Sequence, residues 1–102
     1  MNFIKGEVYF RLKFPDPEML YPLIDSFVYI GVNLSDQDQE DSWYFQFADG
    51  YGKFGSVVDT HLGDRKVLVL KKEQLEEMFN TGSLVTALQS AKWRRNNPNK
   101  LE

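Results

Sequence analysis

Residues 6–14 read Gly6-Glu7-Val8-Tyr9-Phe10-Arg11-Leu12-Lys13-Phe14, and their alternation decides the class of fold. Val8, Phe10, Leu12 and Phe14 fall on one face, and Glu7, Tyr9, Arg11 and Lys13 on the other. Strict period two over this length predicts a strand with one face toward a core and the other toward water. Pro15 and Pro17 then end it, because proline withholds a ladder donor and fixes the chain direction.

Outward from this strand the chain continues as β structure. Glu18–Ile24 reads as a loop or single helical turn, since Pro22 argues against a full helix. A second strand is predicted over Phe27–Leu34, where Phe27-Val28-Tyr29-Ile30 is apolar on both faces, as suits a strand in the middle of a sheet. Ser35–Asp41 has no apolar residue and reads as a solvated loop. Ser42–Phe47 is a third strand, with Trp43, Phe45 and Phe47 on one face and Tyr44 and Gln46 on the other. A turn at Asp49-Gly50 leads to a fourth strand over Lys53–Thr60. A second turn, at Gly63-Asp64, leads to a fifth over Arg65–Lys71. Short connections of this kind favour antiparallel neighbours over crossover units.

After Lys71 the period lengthens. Leu75, Met78 and Phe79 sit at helical spacing with Glu73, Glu76 and Glu77 outside, predicting a short helix that Gly82 closes. Ser83 is placed to cap a second helix whose stripe is Leu84, Ala87, Leu88 and Ala91. The expected fold is therefore α+β. A strongly twisted, mostly antiparallel sheet of four or five strands, with curling toward a small barrel left open, carries two short C-terminal helices. A single domain is expected over residues 1–102, with the sheet at about 6–71, helices at about 72–93 and a polar tail at 94–102.

Composition narrows the function classes. Without Cys there is neither a disulfide framework nor a thiolate metal site, and the start lacks the apolar core of a signal peptide; a cytoplasmic protein is the expectation. No apolar run approaches the ~18 residues of a membrane span. Fifteen acidic against twelve basic residues give a net charge of −3, the wrong sign for generic attraction to nucleic acid or anionic lipid. Lys92, Arg94, Arg95 and Lys100 beside Trp93 form a basic cluster, but one at a polar end of an acidic chain.

Gly50-Tyr51-Gly52-Lys53-Phe54-Gly55-Ser56-Val57 fits G-x-G-x-x-G-x-V and resembles the glycine-rich loop of protein kinases. Val67-Leu68-Val69-Leu70-Lys71 resembles the strand that carries the kinase lysine. No His-Arg-Asp or Asp-Phe-Gly follows, so nothing would hold magnesium, and a glycine-rich β-hairpin is the simpler reading. The acidic run fails as an EF-hand loop: counted from Asp36, the glycine position holds Asp41 and the bidentate glutamate position holds Phe47. His61, the single histidine, lies in an expected turn between Asp59 and Asp64, a pairing that could serve a general base only beside a substrate pocket. No catalytic residue, metal or cofactor is assigned.

The remaining signal is the aromatic excess, 15% of the chain. Tyr9, Tyr29 and Tyr44 are expected opposite the apolar faces of their strands, with Tyr51 and Phe54 in the glycine hairpin. Displayed tyrosines bury large area at low entropic cost and are favoured at protein contacts. The expected function is thus a non-catalytic interaction domain that binds a protein partner or a second copy. These five rings would serve as its anchors, while Asp36, Asp38, Glu40 and Asp41 steer a basic partner. By analogy, an immunity-type inhibitor would fit. The competing expectation is a small-ligand or nucleotide-binding protein, with weak hydrolase activity, centred on Gly50, Gly52, Gly55 and His61.

Overall fold

In the computed structural model, which describes residues 2–56 and 67–97, the alternating stretch forms β1 (Val8–Lys13). It lies between β2 (Leu23–Val32) and the two-residue β5 (Met78–Phe79). Beyond β2 the sheet continues through β3 (Trp43–Phe47) to β4 (Val67–Leu70). The order is β4-β3-β2-β1-β5 and every pairing is antiparallel. The sheet is open, with β4 and β5 at its margins, and is not curled into a barrel. As the doubly apolar run requires, Phe27–Ile30 lies in the central strand and is buried.

Register fixes which row of side chains makes the core. Tyr9 stands opposite Phe27, Phe27 opposite Phe47, and Tyr29 opposite Phe45. Phe45 in turn faces Leu68, and Arg11 faces Met78. Residues directly opposite share a face, so this row gathers Tyr9, Phe27, Tyr29, Phe45, Leu70 and Met78 into one cluster, closed from outside by Phe3 and Leu75. The rings meet edge to face or tilted: Phe3 lies 4.8 Å from Tyr9 and 5.2 Å from Phe45, centroid to centroid. That is the geometry ring quadrupoles favour.

The opposite row, with Phe10, Leu12, Gln46 and Phe79, is covered by two helices. α1 (Ala48–Phe54) packs on β2 and β3, and α2 (Thr81–Asn96) on β1 and β5. α1 replaces the turn at Asp49-Gly50 and the start of the predicted fourth strand; residues 57–60 and the Gly63-Asp64 turn lie outside the described residues. Two glycines make this segment a poor helix on its own, at about 1 kcal/mol each against alanine. Tertiary contacts hold it instead: Gln46 Nε2 donates to Gly55 O at 3.1 Å. Gly55, at φ 77°, ends the helix by donating its N–H to Tyr51 O.

The first of the two predicted C-terminal helices is a 3₁₀ helix, Lys72–Glu77, that gives way to β5. Met78 and Phe79 leave helical geometry because pairing with Arg11 and Phe10 satisfies their backbone and buries the Met78 side chain. The second helix has the predicted stripe, with Leu84 and Ala91 buried and Ala87 and Leu88 half-buried. Its cap is Asn80 rather than Ser83. Asn80 Oδ1 accepts from Ser83 N at 2.8 Å and Ser83 Oγ accepts from Asn80 N at 3.0 Å, a reciprocal capping box.

α2 also runs to Asn96, into the start of the expected polar tail. Arg94 Nε donates to Met19 O at 2.8 Å and an Arg95 N–H to Leu20 O at 2.6 Å. The loop they grip is closed by Asp16, whose carboxylate accepts from Leu20 N at 2.6 Å and Tyr21 N at 3.0 Å. Those amides, Leu20 first, hold the Asp16 carboxyl below its ordinary 3.8, with Arg94 adding to the effect. Among the described residues no helix is long and apolar enough to cross a membrane.

Candidate functional site

The five aromatic residues expected to make one exposed surface do not come together. Tyr9 is 5% exposed and Tyr29 6%, because their row, not the Val8 row, is the core row; Val8 is 41% exposed. The Tyr9 hydroxyl accepts from Ile4 N at 2.8 Å and so enters the core with its polar end satisfied. Burial pushes the Tyr29 phenol up, with Tyr9 adding to it. Tyr44 lies on the opposite face, half-buried, and donates to Asp38 at 2.9 Å. Burial and that carboxylate raise its pKa and keep it a donor. Tyr51 and Phe54 belong to α1.

The acidic loop is largely occupied with itself. Asp38 also accepts from Ser35 N at 3.2 Å, and Asp41 accepts from Asn33 Nδ2 at 3.0 Å. Asp36 and Glu40 are exposed. Among the described residues no group of three or more His, Cys, Asp or Glu is placed to hold a metal ion. Gly50 and Gly52 sit inside α1 and Gly55 terminates it, so the expected glycine hairpin is a helix, without the extended loop that cradles phosphates. His61 lies outside the described residues.

One pair has the residue types of a nucleophile and its base. Lys71 Nζ donates to Ser42 Oγ, which donates onward to Glu40 O at 3.1 Å. Ser42 is 0% exposed, however, and no substrate atom can approach its oxygen. The arrangement ties the end of β4 to the start of β3. It is structural. Two members of the basic cluster also make structural contacts: besides gripping the loop carbonyls, Arg94 lies over the Phe14 ring at 5.6 Å and Arg95 over the Tyr21 ring at 5.8 Å. Lys100 lies outside the described residues.

What these contacts build is a groove of about 480 Å³ between the C-terminal half of β1 and α2. Its floor is apolar, made by Leu12, Phe14, Met19, Phe79 and Ala87. Arg11, Lys13 and Arg94 stand at its rim against the single carboxylate of Glu77, and Ser90 lines it from α2. The apolar surface continues past the groove, since Ile24 stands opposite Leu12 and both Met19 and Ile24 are exposed. A cationic rim on an apolar floor is notable in a chain of net charge −3. Such a site can hold an amphipathic segment; among the described residues that line it there is no His, Ser–base pair or carboxylate pair for chemistry.

Of these residues only Arg94 stands out in the sequence as part of a candidate site, and for a different role. The groove joins β1 to a helix some 75 positions away, and no local pattern encodes that meeting. A second hollow, lined by Phe3, Trp43, Leu75 and Met78, lies over the core row and opens between Lys72 and Glu76. It has no comparable gathering of one charge. Comparison with family models, curated proteins and solved structures finds no match for this chain.

Proposed function

We propose that the protein is a non-catalytic, cytoplasmic interaction domain and that a protein partner docks in the groove between β1 and α2. The observation that carries this reading is the groove's composition, a half-buried apolar floor under a rim lined by three cations and one carboxylate. Apolar area supplies affinity and charge supplies orientation and selectivity. The acidic loop, being wholly polar, offers charge without area. A small-ligand reading centred on Gly50–Gly55 loses its geometric basis, because those residues form and terminate α1.

The test is affinity capture from the source cell with the wild-type chain and with Ser90→Trp, a change at an exposed helix position that fills the groove. A protein partner is expected with the wild type and with an Asp36→Asn/Glu40→Gln variant, and not with Ser90→Trp. Capture that Ser90→Trp leaves intact moves docking elsewhere, and a wild-type chain that retains no protein contradicts the reading.

A further inference from the structure

We infer that the occupant of the groove is an extended peptide segment of alternating acidic and apolar residues, added as a strand beside β1; this rests on the docking reading above. β5 pairs only with Phe10 and Arg11, whereas β1 continues to Lys13 and is held there by β2 alone among the described residues. The 3₁₀ helix runs through Glu77, so the chain ahead of β5 leaves the sheet there, and the groove opens past Glu77 along Lys13 and Phe14. Arg11, Leu12, Lys13 and Phe14 all line it. Successive residues of a strand point to opposite faces, so four consecutive lining residues mean that the groove runs along the strand's edge, where backbone N–H and C=O groups are offered. Adding a strand at such an edge gives affinity through main-chain hydrogen bonds and specificity through alternate side-chain sites.

The row assignment then dictates the pattern of the guest. Side chains beside Leu12 and Phe14 fall on the α2 face, over Phe79 and Ala87, and must be apolar. Met78 already stands beside Arg11, so the guest residue beside Lys13 is the one on the other face, and the two cations there draw it to be acidic. Arg11 already holds Glu77 at 2.8 Å and Lys13 holds Asp25 at 3.4 Å. Exposed pairs of this kind are weak and exchange partners readily. A second copy offering the same edge would bring Arg11 and Lys13 against their own kind, the device by which edges resist self-pairing.

The experiment is fluorescence anisotropy with a labelled Leu-Glu-Leu-Glu-Leu-Glu-Leu-Glu peptide. The comparators are the Leu-Lys repeat, a block peptide with all its leucines ahead of all its glutamates, and two copies N-methylated at alternate residues in either phase. Binding is expected for the alternating acidic peptide, roughly tenfold weaker for the Leu-Lys and block peptides and for one N-methylated phase but not the other. Arg11→Gln/Lys13→Gln is expected to weaken it roughly tenfold and Ser90→Trp to remove it, with circular dichroism showing both variants folded. Equal binding of the Leu-Lys peptide, indifference to both N-methyl phases, or undiminished binding by the double variant overturns the inference. So does a dimer in sedimentation that Ser90→Trp dissolves, which would give the groove to a second copy. Capture of a partner that Ser90→Trp abolishes, with no peptide binding, leaves docking in place and removes the strand-addition chemistry; loss of both removes the docking reading as well.

Discussion

Replacing Phe45 by Ala is expected to cost about 3–5 kcal/mol, the range for truncating a large ring in a closed core. Phe45 is 0% exposed and lies within 6.2 Å, centroid to centroid, of the rings of Phe3, Tyr9 and Tyr29. Its loss opens a cavity bounded by the rings of Phe3, Tyr9 and Tyr29, the last two anchored on strands paired to each other. Against a total of roughly 5–15 kcal/mol for a domain, this removes a large share of the stability. Urea denaturation followed by Trp43 fluorescence reads it directly. Val8→Ala, in the opposite row, is expected to cost less than about 1 kcal/mol. Equal losses at the two positions would mean that the rows had been assigned to the wrong faces.

Gly31→Val is expected to be the next most damaging change, at about 1–3 kcal/mol from backbone strain. Gly31 adopts φ 143° where the β2–β3 register shifts between Tyr29 and Gly31. A bulge of this sort needs a backbone that side chains resist, and a β-branched one most of all. A Cβ at this position would stand 3.0 Å from Leu34 Cδ2, but Leu34 is exposed and can yield, so strain and not collision sets the cost. Gly52→Ala is the internal contrast. It lies in α1 with nothing within 4 Å of a built Cβ, and gains about 0.5–1 kcal/mol from a stiffer unfolded chain. Chemical denaturation of the two variants, moving in opposite directions, checks both statements.

The strands were readable because period two survives in any context: β1, the buried run in β2 and the Trp43-Phe45-Phe47 face all stand where the alternation puts them. Which row of β1 met the core was not readable. Both rows of this strand carry aromatic rings, and helices cover one face while Phe3 and Leu75 cover the other. Alternation tells two faces apart but does not rank them when neither is bare. α1 escaped for the opposite reason, since its glycines argue locally for a turn and only Gln46 and the β3 face argue for a helix. Met78 and Phe79 sit at helical spacing and became a strand because β1 had a vacant side. The groove was least legible of all. It exists only where α2 returns across β1, and its cations read in sequence as part of a solvated face and a polar tail.

The central claim, that partners engage the groove beside β1, is tested most directly by titrating the ¹⁵N-labelled chain with the alternating Leu-Glu peptide and following its amide resonances. Saturable shifts are expected to gather at Arg11–Phe14, Phe79 and the Ala87–Arg94 face of α2, leaving the Asp36–Asp41 loop and the surroundings of Phe3 and Trp43 unmoved. Shifts centred on that loop or on the Phe3–Leu75 hollow, with Leu12, Phe79 and Ala87 unchanged, would contradict it.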